Sequence, residues 1–186
     1  GIEAFTNLEF LRISGAPSSP ITISNLDINT MSTLEQLEVE YTNLATIDVS
    51  NNINLRTIKL SNNEIITLDV SNNLNLETLD CSDNQITSLQ IGNLPVITEI
   101  DCSANLLPVL EVSNNTSLQI LNVAENLLTT NNLAIENLTS LTRLSVFDNS
   151  LDALDLTIYP SLTSLGASDN DIEFLDFSNN PILNNA

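Results

Sequence analysis

The chain contains no histidine and no tryptophan, and its 186 residues carry only four basic side chains, Arg12, Arg56, Lys59 and Arg143. The missing histidine removes the commonest general base and the commonest transition-metal ligand. The shortage of lysine and arginine argues against nucleic acid and anionic membranes as partners, because both are bound largely by neutralising phosphate. There are two cysteines, Cys81 and Cys102, too few for a disulfide-dense scaffold and without zinc-ligand spacing. No apolar run approaches the roughly 18 residues of a membrane helix, so no membrane insertion is expected in this segment. The opening GIEAFTNLEF lacks a basic stretch followed by an apolar one, the mark of a signal peptide, and lacks an initiator Met. The expectation is a processed end or a boundary within a longer protein.

What is present in excess is acid. Twenty-four carboxylates against four bases give a formal net charge of −20. Such a surface favours cationic partners, divalent metals or polyols, and keeps a chain soluble.

The organising feature is a repeat. The stretch LETLDCSDNQITSLQIGNLPV from Leu76 is preceded by LRTIKLSNNEIITLDVSNNLN from Leu55 and followed by ITEIDCSANLLPVLEVSNNTS from Ile97. The opening apolar residues are Leu34, Leu55, Leu76, Ile97, Leu118, Leu141 and Leu162, with Leu183 beginning another unit. They lie 21 residues apart except between Leu118 and Leu141, which are 23 apart. Each unit reads LxxLxLxxNxL and then xxLxLxxN, so two strand-like stretches are nested in one period. Alternating apolar residues put both side chains on one face of a strand, and one coil cannot bury that face alone. Stacked coils about 4.8 Å apart can.

This pattern resembles the leucine-rich-repeat family, in particular a short bacterial 21-residue class with nested periodicity (IRREKO-like), in the style of Bacteroidetes-type surface proteins. The resemblance implies a right-handed, parallel-strand solenoid of about eight repeats, mostly β with little helix, within the α/β horseshoe class. It covers residues 34–186 well and 5–33 loosely. The division expected is an irregular N-terminal section, 1–33, and one continuous solenoid, 34–186. Each return has only about ten residues, too few for an α-helix with its turns. The 23-residue unit, with TTNNLAIENLTS, has room for one helical turn capped by Asn131 or Asn132.

One column reads Asn63, Asn84, Asn105, Asn126, Asn149 and Asn170, with Thr42 in the first unit. Its expected purpose is structural: a buried amide serves backbone groups left unpaired where the chain turns inward. A second row, Asp48, Asp69, Glu111, Asp155 and Asp176, is expected to accept bonds from neighbouring turn N–H groups. Cys81 and Cys102 share an inward column and read as small apolar core residues, with a disulfide left open.

By the same resemblance, ligands dock on the concave sheet through the polar residues around each LxxLxL strand. The candidates are Glu38, Glu40, Tyr41, Lys59, Asp80, Asp83, Glu99, Asp101, Asn122, Glu125, Arg143, Phe147 and Asp148. The centre is acidic, and Tyr41 and Phe147 are expected to be exposed near opposite ends. A protein or adhesive partner is the leading expectation. A glycan is the alternative, since carboxylates, amides and an aromatic platform suit sugar hydroxyls and rings. A structural spacer in a surface protein is the third reading. The carboxylates could hold Ca²⁺, which takes six to eight oxygens; no other cofactor or metal is expected. Asp80 and Asp101 are paired carboxylates, but a shallow regular row with no partner base argues against an enzyme. The expected setting is extracellular or at the cell surface.

Overall fold

The computed structural model describes residues 5–186, and in it the 21-residue period becomes a stack of parallel strands. Twelve strands form in chain order. They are β1 (Phe10–Ser14), β2 (Gln36–Glu40), β3 (Thr57–Lys59), β4 (Thr67–Asp69), β5 (Thr78–Asp80) and β6 (Ser88–Gln90), followed by β7 (Glu99–Asp101), β8 (Leu110–Glu111), β9 (Ile120–Asn122), β10 (Leu133–Ala134), β11 (Arg143–Ser145) and β12 (Ser164–Gly166). Eight of them make one sheet in the order β1-β2-β3-β5-β7-β9-β11-β12. Two pairs, β4 with β6 and β8 with β10, make short sheets on the return half of the coils. Every pairing is parallel, as a coiling chain requires when each strand meets its equivalent one turn later.

The solenoid makes about six turns, fewer than the eight expected. The sheet does hold eight strands. The first, β1, belongs to an irregular opening coil. There Ala16 and Ser19 close a small turn, and Ile21 reaches Thr42 by an isolated bridge. Gly15 sits where an added Cβ would lie 2.4 Å from the Tyr41 carbonyl oxygen, so only a glycine passes that point.

The openers Leu34, Leu55, Leu76, Ile97, Leu118, Leu141 and Leu162 are all fully buried, as are the strand residues Leu37, Ile58, Leu79 and Ile100. Each such side chain contributes about 1.5–3 kcal/mol through removal from water. No helix occurs among the described residues. The helical turn expected in the 23-residue unit is a tight turn instead: Asn132 N–H donates to Thr129 O at 3.0 Å, and β10 follows at once. The two extra residues are too few to close a helical hydrogen bond and still return to register with β8.

The Asn column stitches coil to coil. Asn105 Nδ2 donates to Cys81 O of the preceding coil at 3.0 Å, and to Cys102 O and Ser103 O of its own at 3.1 and 3.0 Å. Its Oδ1 accepts Ile86 N–H at 2.8 Å. Asn84, Asn126, Asn149 and Asn170 repeat both kinds of bond. At the top, Asn63 Oδ1 accepts the Thr42 hydroxyl, so the Thr that breaks the motif still caps the column.

A second buried column lies on the return half. Asn52, Asn73, Asn115 and Asn180 are buried. Asn52 donates to Ile28 O and Met31 O, and Asn73 to Val49 O and Asn52 O. Tyr159 takes the same position one coil before Asn180, and its hydroxyl donates to Ile135 O at 3.1 Å. The repeated SNN of VSNN and FSNN marks this column in the sequence, but it was not expected. Its second Asn is the buried one.

Candidate functional site

The register of the large sheet sets two polar columns side by side on its open face. One runs Glu38, Lys59, Asp80, Asp101, Asn122, Ser145 and Gly166 as cross-strand neighbours. The other runs Gln36, Thr57, Thr78, Glu99, Ile120, Arg143 and Ser164. Strands in a sheet lie about 4.8 Å apart, so side chains along each column can reach one another.

Charge is sorted along these columns. Near the N-terminal end Glu38 is held between Arg12 Nε at 3.4 Å and Lys59 Nζ at 3.3 Å, and it is largely covered. Arg56 pairs with Glu77 at 2.7 Å. Among the described residues Arg143 is the one base without an ion pair, and it is exposed.

The central aspartates have partners of their own. Asp80 Oδ1 accepts Ser82 N–H and Oγ–H at 3.1 and 2.7 Å, and Asp101 Oδ1 accepts Ser103 N–H and Oγ–H at 3.0 and 2.5 Å. Asp101 Oδ2 also accepts Asn122 Nδ2 at 2.9 Å. This is the turn chemistry expected only of the second acidic row, where Ser50, Ser71, Ser113, Thr157 and Ser178 N–H groups bond the acid two residues before. The shared D-x-S spacing of LDCS, IDCS and LDVS was the available signal. In the second row the hydrogen bonds hold Asp48 and Asp155, through Ser50 and Thr157, below the ordinary carboxylate range; Ser178 does the same for Asp176.

The face carries two adjoining hollows. Lys59, Asp80, Glu99 and Asp101 meet around the first, with Thr57 and Thr78. Glu99, Asp101, Asn122 and Arg143 meet around the second, with Ser145, Ser164, Gly166 and Asn185. Glu99 and Asp101 line both. Asn185 was not anticipated; carrying the register one coil past Ser164 would have found it, and its Nδ2 donates to Ser164 Oγ at 3.3 Å.

The remaining candidates lie elsewhere. Tyr41, Asp83, Glu125 and Asp148 do not line the hollows. They share one left-handed turn position with Asn62, Ala104 and Asp169, all with φ between 51° and 57°, directly before the Asn or Thr of the buried column. Glu40 accepts the Ser61 hydroxyl at 3.1 Å. Tyr41 and Phe147 are half-buried, which corrects the expectation of two exposed aromatic platforms. Both lie where the chain leaves the strand and turns inward, Tyr41 at the left-handed position itself and Phe147 directly before it, rather than on the flat of the sheet. Among the described residues no group of three or more acidic or cysteine side chains is gathered closely enough to hold a metal ion, so the Ca²⁺ reading has no geometric support.

Cys81 and Cys102 are fully buried and free in consecutive coils. Burial, with the partner thiol and Asp80 and Asp101 as smaller contributions, raises the Cys81 thiol well above its usual range, and burial with Asp101 does the same for Cys102. Both pack in the core as small apolar residues.

The parallel sheet, the buried leucine columns and the asparagine stitches together decide the architecture. It is a leucine-rich-repeat solenoid. The functional domain of InlJ from Listeria monocytogenes, which includes a cysteine ladder, superposes with a TM-score of 0.91 at 32% identity over 98% of this chain and 39% of its own. An internalin, inlF, from Listeria monocytogenes str. 4b F2365 aligns with a TM-score of 0.76 at 24% identity, over 86% of this chain and 49% of its own. TLR13, solved in complex with ssRNA13, aligns with a TM-score of 0.72 at 25% identity, over 98% of this chain and 28% of its own. This leucine-rich-repeat chain therefore spans less than half the length of each of these three. No protein-family model matches the sequence. No curated protein matches it either.

Proposed function

We propose that this leucine-rich-repeat chain is a non-catalytic recognition module that binds a protein or adhesive partner on the open face of its large sheet. The observation that carries the reading is the pair of adjoining hollows sharing Glu99 and Asp101, with the unpaired Arg143 at one end. An acid centre beside a free guanidinium offers both signs of charge to a partner, which suits protein surfaces. The contact residues proposed are Lys59, Asp80, Glu99, Asp101, Asn122 and Arg143. Asp83, Glu125 and Asp148 are proposed as rim contacts. The fold of the similar InlJ functional domain supports a module of this kind. Asp80 and Asp101 are tied into turns by Ser82 and Ser103, which speaks against either as a free catalytic acid or base. A charge of −20 speaks against a nucleic-acid ligand, unlike TLR13 with its ssRNA13. The setting proposed is extracellular or at the cell surface, with the segment outside the membrane; among the described residues no helix is long and apolar enough to cross one. The half-burial of Tyr41 and Phe147 weakens the sugar-binding alternative.

The test is a binding screen against a panel of extracellular proteins and a glycan array, followed by Glu99→Lys and Arg143→Glu. A protein hit lost in both variants is expected. A glycan hit alone, or a protein hit indifferent to both reversals, would overturn the site.

A further inference from the structure

The one 23-residue coil opens a pocket on the return half of the solenoid, away from the large sheet. Its two extra residues fall between Asn126 and Leu133 and are taken up by the turn at Thr129–Asn132. Thr130 then reaches forward to the next coil, where its hydroxyl oxygen accepts Asp152 N–H at 3.0 Å and Ala153 N–H at 3.1 Å. With the turn wedged there, β10 pairs back with β8, while the chain one coil further on, at Leu154 and Asp155, forms no strand beside it. The space between is walled by Leu133, Ile135, Leu154, Ile158 and the ring of Tyr159, with Glu136 and Asp155 among its lining residues. Both carboxylates are exposed, whereas Leu133, Ile135 and Tyr159 are buried.

We propose that this pocket receives a lysine side chain of a partner protein. An apolar wall suits a four-carbon stem, and carboxylates at the solvent edge suit the ammonium it carries. The Tyr159 hydroxyl proton is already committed to Ile135 O, so the ring presents its apolar body to the pocket. Asp155 Oδ1 is taken by Thr157 N–H at 2.9 Å and Thr157 Oγ–H at 2.6 Å. That leaves Asp155 one oxygen free of these turn bonds. A compact ammonium, with three separately directed donors, fits such single-oxygen contacts better than the bidentate fork of arginine. The −20 charge of the chain raises the local concentration of cationic partners.

Methyl NMR of the whole chain titrated with Nα-acetyl-lysine amide tests this. Saturable shifts centred on Leu133, Ile135, Leu154 and Ile158 are expected, with the norleucine amide, which has the stem without the charge, binding about tenfold more weakly. The arginine amide should also bind more weakly than lysine. The Glu136→Gln, Asp155→Asn double variant should lower lysine affinity by about tenfold. The Asp155→Asn change keeps an amide oxygen as acceptor for Thr157, and an unchanged melting curve would show that the turn survives. Equal binding of lysine and norleucine, tighter binding of arginine, shifts centred elsewhere, no saturable shift, or a folded double variant with unchanged affinity would each overturn the proposal.

Discussion

In seven successive coils the residue directly before the Asn or Thr of the first buried column carries positive φ. Four of the seven are Asp or Asn, which tolerate this region because their short side chains bond locally, but Tyr41, Ala104 and Glu125 also adopt it. The conformation is imposed by the coil: Ala104 N–H donates to Ala124 O, and Ala104 O accepts Asn84 N–H, so the turn is fixed on both sides. A non-glycine residue there costs roughly 1–2 kcal/mol. Glycine relieves that cost but adds about 0.5–1 kcal/mol of unfolded-chain entropy. Ala104→Gly is therefore expected to stabilise the chain by about 0.5–1 kcal/mol, measured by urea unfolding. Ala124→Gly, at a fully buried position outside the positive-φ set, should destabilise it. Equal effects of the two would show that the turn relaxes and holds no strain. The Asp and Asn at this position were visible in the sequence, but their column reads equally well as an exposed binding row. Only the backbone dihedral separates the two readings.

At the scale of the coil, asparagine does for the turn what hydrogen-bonded strands do for the sheet. Asn105 satisfies three carbonyls and one N–H at a buried position, tying its own strand end to Cys81 and Ile86 of the preceding coil. Asn105→Ala strands those groups without water, and the expected loss is about 3 kcal/mol, in the upper range for buried unsatisfied polar groups. Tyr159→Phe removes one bond from the return column and should cost only about 1 kcal/mol. Chemical denaturation of both variants checks the ratio; a Tyr159→Phe loss as large as that of Asn105→Ala would mean that the return column holds the coils together as firmly as the Asn105 column does. Sequence reading named the first column because its motif recurs in one register. It passed over the second because Leu94, Leu138 and Tyr159 interrupt it, and because SNN looks like turn composition until burial shows which Asn faces inward.

Across the molecule, 24 acids lie against four bases, and Glu38, Glu35 and Glu77 hold three of those bases. Most carboxylates are therefore offset by turn hydrogen bonds or water rather than by cations. Self-repulsion of the folded chain should fall as salt screens it, with a Debye length of about 30 Å at 0.01 M and about 10 Å at 0.1 M. The melting temperature is expected to rise by several degrees between about 0.01 and 0.5 M sodium chloride, monitored by circular dichroism. A flat or falling curve would show that attraction in the ion pairs outweighs the repulsion.

The sequence by itself determined the solenoid, because a period of 21 residues with buried openers has one economical solution: stack the coils and share the core. It also determined the polar columns of the sheet, since alternation in a strand leaves no choice of face. The tertiary structure alone decided which of those residues work together. Glu99 and Asp101 share two hollows because of cross-coil register, while Tyr41 and Phe147, at the turns beyond the strand ends, are half-buried. It alone decided the pocket at Tyr159, because a two-residue insertion reads as added length in one dimension and becomes a gap only where a neighbouring coil fails to follow it.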